Sequence, residues 1–85
     1  MRTDRILDVR GCSCPWCCLK AMSILKLLKP GQILEVLATD PLTLKDLPHI
    51  LAQRGDKLIG VDKQPDFFRM FLRRGRDIES AWLGT

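Results

Sequence analysis

Between Arg5 and Thr39 the apolar residues change period twice, which limits the chain to a small set of folds. Arg5 to Arg10 carries Ile6, Leu7 and Val9 and reads as a strand ended by Gly11. From Pro15 to Lys29 the spacing is helical, with Cys18, Ala21, Met22, Leu25 and Leu28 recurring at three- and four-residue steps on one face. Pro15 suits the first helical position, where its missing N–H has no partner to lose, and Pro30-Gly31 stops the helix. Ile33 to Thr39, rich in branched apolar residues, reads as a second, mostly buried strand interrupted by Glu35.

The remainder continues the alternation. Asp40-Pro41 turns the chain, and a second helix is expected to open at Thr43, with Asp46 three residues on as a capping-box variant. Leu44, Leu47, Ile50 and Leu51 give it an apolar face, Gly55 is its stop, and Pro48 implies either a kink or an irregular first turn. Lys57 to Val61 and Phe67 to Arg73 read as two strands joined through Asp62-Lys63-Gln64-Pro65-Asp66. Because crossovers are right-handed, the order β-α-β-α-β-β favours an α/β two-layer sandwich, a mixed four-stranded sheet with two helices on one face. In the last strand either Phe68, Met70 and Leu72 or the alternating set Phe67, Arg69, Phe71 and Arg73 must face those helices. Arg76 to Thr85 reads as a tail in which Ile78, Trp82 and Leu83 are suited to a short packed helix.

All the thiol chemistry sits at the first strand-to-helix junction, where Cys12, Cys14, Cys17 and Cys18 fall within seven residues. The first turn of a helix offers unpaired N–H groups and a partial positive charge, both of which favour a thiolate. Four cysteines this close would make a poor disulfide framework, because each bridge would close only a tiny loop. The basic start Met1-Arg2-Thr3-Asp4-Arg5 leads into a short strand pattern with no signal-peptide character, and no apolar run is long enough to span a membrane. A cytoplasmic protein whose thiols are reactive or metal-binding, rather than a disulfide framework, is the expectation. The net charge of +4 is too small to argue for nucleic acid as a partner.

The stretch Leu7-Asp8-Val9-Arg10-Gly11-Cys12-Ser13-Cys14-Pro15 resembles the signature of the TusA/SirA-like sulfur-carrier family, in which Leu-Asp-x-Arg-Gly leads to Cys-Pro-x-Pro at a helix start. The resemblance continues through Lys20, Leu28-Lys29-Pro30-Gly31, Ala38-Thr39-Asp40-Pro41, Asp46-Leu47-Pro48 and Leu72-Arg73-Arg74-Gly75, covering most of the chain from Ile6 to Gly75. It implies a carrier domain over residues 1–75 followed by the tail 76–85. The function it implies is to accept a sulfane sulfur as a persulfide on Cys14 and relay it, as in tRNA thiolation, molybdenum-cofactor or sulfur-oxidation pathways. The implied partners are a donor of cysteine desulfurase or rhodanese type and an acceptor protein, with no resident cofactor or metal. Such a protein is a carrier, left covalently loaded after each half-reaction, rather than a multiple-turnover enzyme.

One departure stands out, because Cys17 occupies the position of the family's second proline. Cys14-Pro15-Trp16-Cys17 has a spacing that permits a disulfide. Cys17 thus either resolves a Cys14 persulfide by expelling sulfide or fills the proline's place without redox work. Cys12 and Cys18 are assigned to packing. Asp8, Arg10 and Gly11 are candidates to shape the loop, or in the case of the two charges to form an ordinary surface pair. Pro15 sets the helix start, Trp16 is a docking anchor or a cover for the helix, and Lys20 is a partner contact or a solvated lysine. His49 is expected as an exposed helix residue.

Two other readings remain open. Cys14-Pro15-Trp16-Cys17 resembles the Cys-Pro-Tyr-Cys of glutaredoxins and would suit a thiol–disulfide oxidoreductase, but no Val-Pro before a later strand and no Gly-Gly turn accompanies it. A metal-binding regulatory module would use all four cysteines, although structural zinc sites draw their ligands from separated segments.

Overall fold

The computed structural model describes residues 3–13 and 15–75. Cys14 and the expected tail, 76–85, lie outside the described residues. The elements run β1 (Arg5–Asp8), α1 (Trp16–Leu25), β2 (Ile33–Ala38), α2 (Pro41–Arg54), β3 (Lys57–Lys63) and β4 (Phe68–Arg73), which is the β-α-β-α-β-β order that the apolar patterning demands. The sheet order is β1-β2-β4-β3, with β1 parallel to β2 and both other pairings antiparallel.

Period-two burial settles which side of the sheet meets the helices. In β2 Leu34, Val36 and Ala38 are fully covered, and in β4 Phe68, Met70 and Leu72 are buried while Arg69 and Phe71 are half-buried on the alternate face. The registers Leu34↔Leu72 and Val36↔Met70 bring these residues side by side into one apolar layer. From α1 the layer receives Cys17, Cys18, Ala21, Met22 and Leu25, with Leu28 just beyond, and from α2 it receives Leu47 and Leu51. Each fully buried leucine contributes about 1.5–3 kcal/mol relative to exposure, so this layer is the dominant favourable term.

Helix ends account for the departures from the sequence reading. α1 is regular only to Leu25; Leu27 and Leu28 donate to Ile24 and Leu25 at 2.9 and 3.1 Å, a tightened exit that precedes Pro30. The cap of α2 is Asp40, not Thr43: its carboxylate accepts from the Leu42 N–H at 3.0 Å, Pro41 takes the first helical position, and Thr43 is buried within the helix. The helix continues through Pro48. At the far end Gly55 adopts φ 78, and the Asp56 N–H closes back on the Leu51 carbonyl at 2.9 Å. Gly75 packs so closely here that a side chain at its Cα would overlap the Gly55 carbonyl. Its N–H donates to the buried Asp56 carboxylate at 2.7 Å. Arg74 donates to the Leu28 carbonyl at 2.9 Å and ties the end of β4 to the exit of α1. No helix among the described residues is long and apolar enough to cross a membrane.

Candidate functional site

The segment from Asp8 to Lys20 turns the end of β1 into the first turns of α1 at the edge where β2 ends. Val9 extends the parallel ladder by donating to the Leu37 carbonyl at 2.8 Å, and the chain then reverses in a turn closed by the Cys12 N–H on the Val9 carbonyl at 3.1 Å. Gly11 takes the third position of that turn with φ 84, a left-handed conformation that side chains disfavour. Its N–H donates to the Thr39 hydroxyl at 2.9 Å, so the loop is held to the end of β2 by a side chain 28 residues away.

Asp8 and Arg10 meet each other. The Asp8 carboxylate accepts from Arg10 Nε at 3.0 Å, Nη2 at 2.8 Å and the Arg10 backbone N–H at 3.0 Å. The Arg10 side-chain hydrogen bonds, then its backbone N–H, hold the Asp8 carboxyl below its ordinary range, and the same contact raises Arg10. Both side chains are about half exposed, so the pair shapes the turn more than it stabilises the fold. The Arg10 guanidinium lies over the Phe67 ring at 5.2 Å, and that of Arg69 stands 5.9 Å from the same ring. Phe67, which the sequence left as one of two possible faces of its strand, thus becomes the floor beneath Arg10.

Pro15 precedes the first helical residue by one position, with φ −87 and ψ −3, instead of occupying it. The helix start carries no side-chain cap; the Ser13 carbonyl accepts from the Trp16 and Cys17 N–H groups at 3.1 and 3.4 Å. Trp16 is 64% exposed, with Leu19 exposed on the next turn.

The three described cysteines differ in environment. Cys17 is 0% exposed, its thiol donating to the Cys12 carbonyl at 2.8 Å, and Cys18 is buried beside Ala21 in the core. Cys17 thus does the work of a core residue that pins the preceding loop. Cys12, assigned to packing from the sequence, is half-buried and keeps a free thiol, with the Lys20 ammonium 4.0 Å from its sulfur. Lys20 is exposed on α1 with its ammonium reaching back to the loop, and His49 is exposed on α2.

Three signals were hard to read from the chain alone. Thr39 and Phe67 reach the site only through long-range pairing, although Ala38-Thr39-Asp40-Pro41 already belonged to the recognised pattern. The Cys12 contact depends on the direction taken by the Lys20 side chain, which helical spacing does not specify.

Comparison with known proteins bears on this geometry. The family described as Sulfurtransferase TusA matches residues 5–74. A sulfur carrier protein TusA from Allochromatium vinosum is 32% identical over 84% of this chain and 93% of its own length. A putative sulfur carrier protein of Archaeoglobus fulgidus is 30% identical over 81% of this chain and 94% of its own. The crystal structure of a SirA-like protein from Desulfitobacterium hafniense superposes with a TM-score of 0.69 at 19% identity, covering 85% of this chain and 99% of that one, which shows a shared fold. With the family pattern running from β1 through β4, the chain belongs to the TusA/SirA-like family of sulfur carriers.

Proposed function

We propose that Cys14 is the sulfur-carrying residue, and that this protein takes a sulfane sulfur from a donor's persulfide and delivers it to an acceptor protein. The observation that carries this reading is the Cys14-Pro15 step at the start of α1 within a family match spanning residues 5–74. In the loading step the Cys14 thiolate attacks the terminal sulfur of the donor persulfide. A bond forms between that sulfur and Cys14, the donor S–S bond breaks, and the donor cysteine departs as a thiolate, so no net oxidation occurs. The helix dipole of α1 favours the anionic persulfide that results. The Gly11 and Thr39 contact and the Asp8 and Arg10 pair tie down the turn that follows β1, within the same motif as Cys14.

Donors of the cysteine desulfurase or rhodanese type supply the chemistry required, and a reducing compartment such as the cytoplasm keeps the thiols competent. Trp16 and Leu19, exposed beside the cysteine loop, supply an apolar contact for such partners. The test is transfer of radiolabelled sulfur from cysteine through a cysteine desulfurase onto this protein, followed on a non-reducing gel. Label should appear on the parent and be absent from Cys14→Ser; label retained by Cys14→Ser would refute the assignment.

A further inference from the structure

A cleft of about 280 Å³ opens at the end of the sheet away from the cysteine loop, and its lining includes Lys57, Arg73, Arg74, Gly31, Gly55 and Gly75. Arg73 pairs with Ile33, the first residue of β2, whereas Gly11 is tied to Thr39, just past the last. Glycines make the space. α1 stops ahead of Gly31, α2 ends at Gly55 and β4 runs out before Gly75, so three element ends meet where no glycine supplies a side chain to fill the gap. Gly31, at φ 90, has nothing within 4 Å of the point where a side chain would begin.

Positive charge gathers around this space. The strand register sets Lys57 directly across from Arg73, and like charges in that relation destabilise a sheet. Both residues are exposed, and no carboxylate among the described residues forms an ion pair with either. Arg74 follows, anchored by its hydrogen bond to the Leu28 carbonyl at 2.9 Å. The neighbouring Asp56 carboxylate is already engaged, accepting from the Gly75 N–H at 2.7 Å with Arg54 Nε 3.8 Å away. We propose that this cleft binds a small, doubly charged tetrahedral oxyanion, either inorganic phosphate or the phosphate group of a small ester. Guanidinium and ammonium groups on one opening match such an anion in charge and in hydrogen-bond donors. A bound anion offsets the Lys57–Arg73 repulsion that no described carboxylate relieves. Sites for drug-sized ligands run to about 300–1,000 Å³, so this volume suits a phosphate with a short organic group better than a nucleotide cofactor.

The experiment titrates the isotope-labelled, full-length reduced protein with inorganic phosphate and, separately, with glycerol phosphate, each against sodium chloride at matched ionic strength. The amide signals of Gly31, Gly55 and Gly75 should shift saturably with the phosphates and not with chloride. Tighter binding of the ester assigns the cleft to a phosphorylated metabolite, and equal or weaker binding assigns it to the free anion. Lys57→Gln and Arg73→Gln should each weaken phosphate binding about fivefold, while Arg74 is left in place to keep its tie to α1. Without phosphate, Lys57→Gln should melt above the parent because the like-charge pair is gone, which also shows that the variant folds. Added phosphate should narrow that difference by stabilising the parent more. Shifts that fail to saturate, shifts that chloride reproduces, or Lys57→Gln and Arg73→Gln proteins that bind phosphate like the parent would overturn the inference.

Discussion

Replacing Cys17 with alanine separates a structural thiol from a reacting one. The substitution removes a sulfur from a site with 0% exposure and deletes the donor to the Cys12 carbonyl. Lost burial of a group about the size of a methylene costs about 0.8 kcal/mol. The small void adds about 0.5 kcal/mol at the cavity cost of about 24 cal/mol per Å³. The hydrogen bond contributes about 0.5 kcal/mol, the low end of the range because a thiol is a weak donor and water can reach the half-buried loop. The sum is about 2 kcal/mol, a substantial part of the roughly 5–10 kcal/mol available to a domain this small. Urea unfolding of the reduced protein, with a slope of about 1–2 kcal/mol per M, should show a midpoint lowered by about 1–2 M. Sulfur loading of the folded variant should be unchanged. A midpoint equal to the parent's, or a folded variant that no longer loads sulfur, would refute the assignment of Cys17 to the core.

Three further predictions address the frame around the site. Gly75→Ala forces a methyl group into the Gly55 carbonyl and should destabilise the fold by about 1–3 kcal/mol, read as a lower melting temperature. Asp40→Ala removes the cap on α2 and should cost about 1 kcal/mol in denaturant unfolding, whereas Asp40→Asn should recover most of the loss. Because Arg10 lowers the Asp8 carboxyl in the folded protein, the stability it contributes is present above the ordinary carboxylate value and is lost as pH falls through the depressed folded value. An NMR titration should place the Asp8 midpoint below that of other exposed aspartates, and Arg10→Gln should move it up.

Where one face of an element is buried, the chain is legible. The series Cys18, Ala21, Met22, Leu25 and Leu28 and the alternation in β2 place the core because periodicity and burial are the same fact seen twice. The choice between the two faces of β4 needed the registers Leu34↔Leu72 and Val36↔Met70. The cap at Asp40 was readable from Pro41, which takes the first helical position; Thr43, the competing cap, lies inside the helix. In the site itself, Leu-Asp-x-Arg-Gly announced a turn, and the left-handed Gly11 supplies its physical reason. The burial of the described cysteines was not legible. Cys17 and Cys18 are adjacent, and a helical period alone does not bury both; the loop from Val9 to Cys12 covers the first turn and closes over Cys17. Cys12 is half-buried against the core, with the Lys20 ammonium 4.0 Å from its sulfur.

The central claim is that sulfur resides on Cys14. Intact-protein mass spectrometry after exposure of the reduced chain to a sulfane-sulfur donor, followed by alkylation and peptide mapping, tests it directly. The account predicts a gain of one sulfur atom in the parent, mapped to Cys14 and lost in Cys14→Ser. A gain that persists in Cys14→Ser, or a parent that forms only disulfide and never retains sulfur, would contradict it.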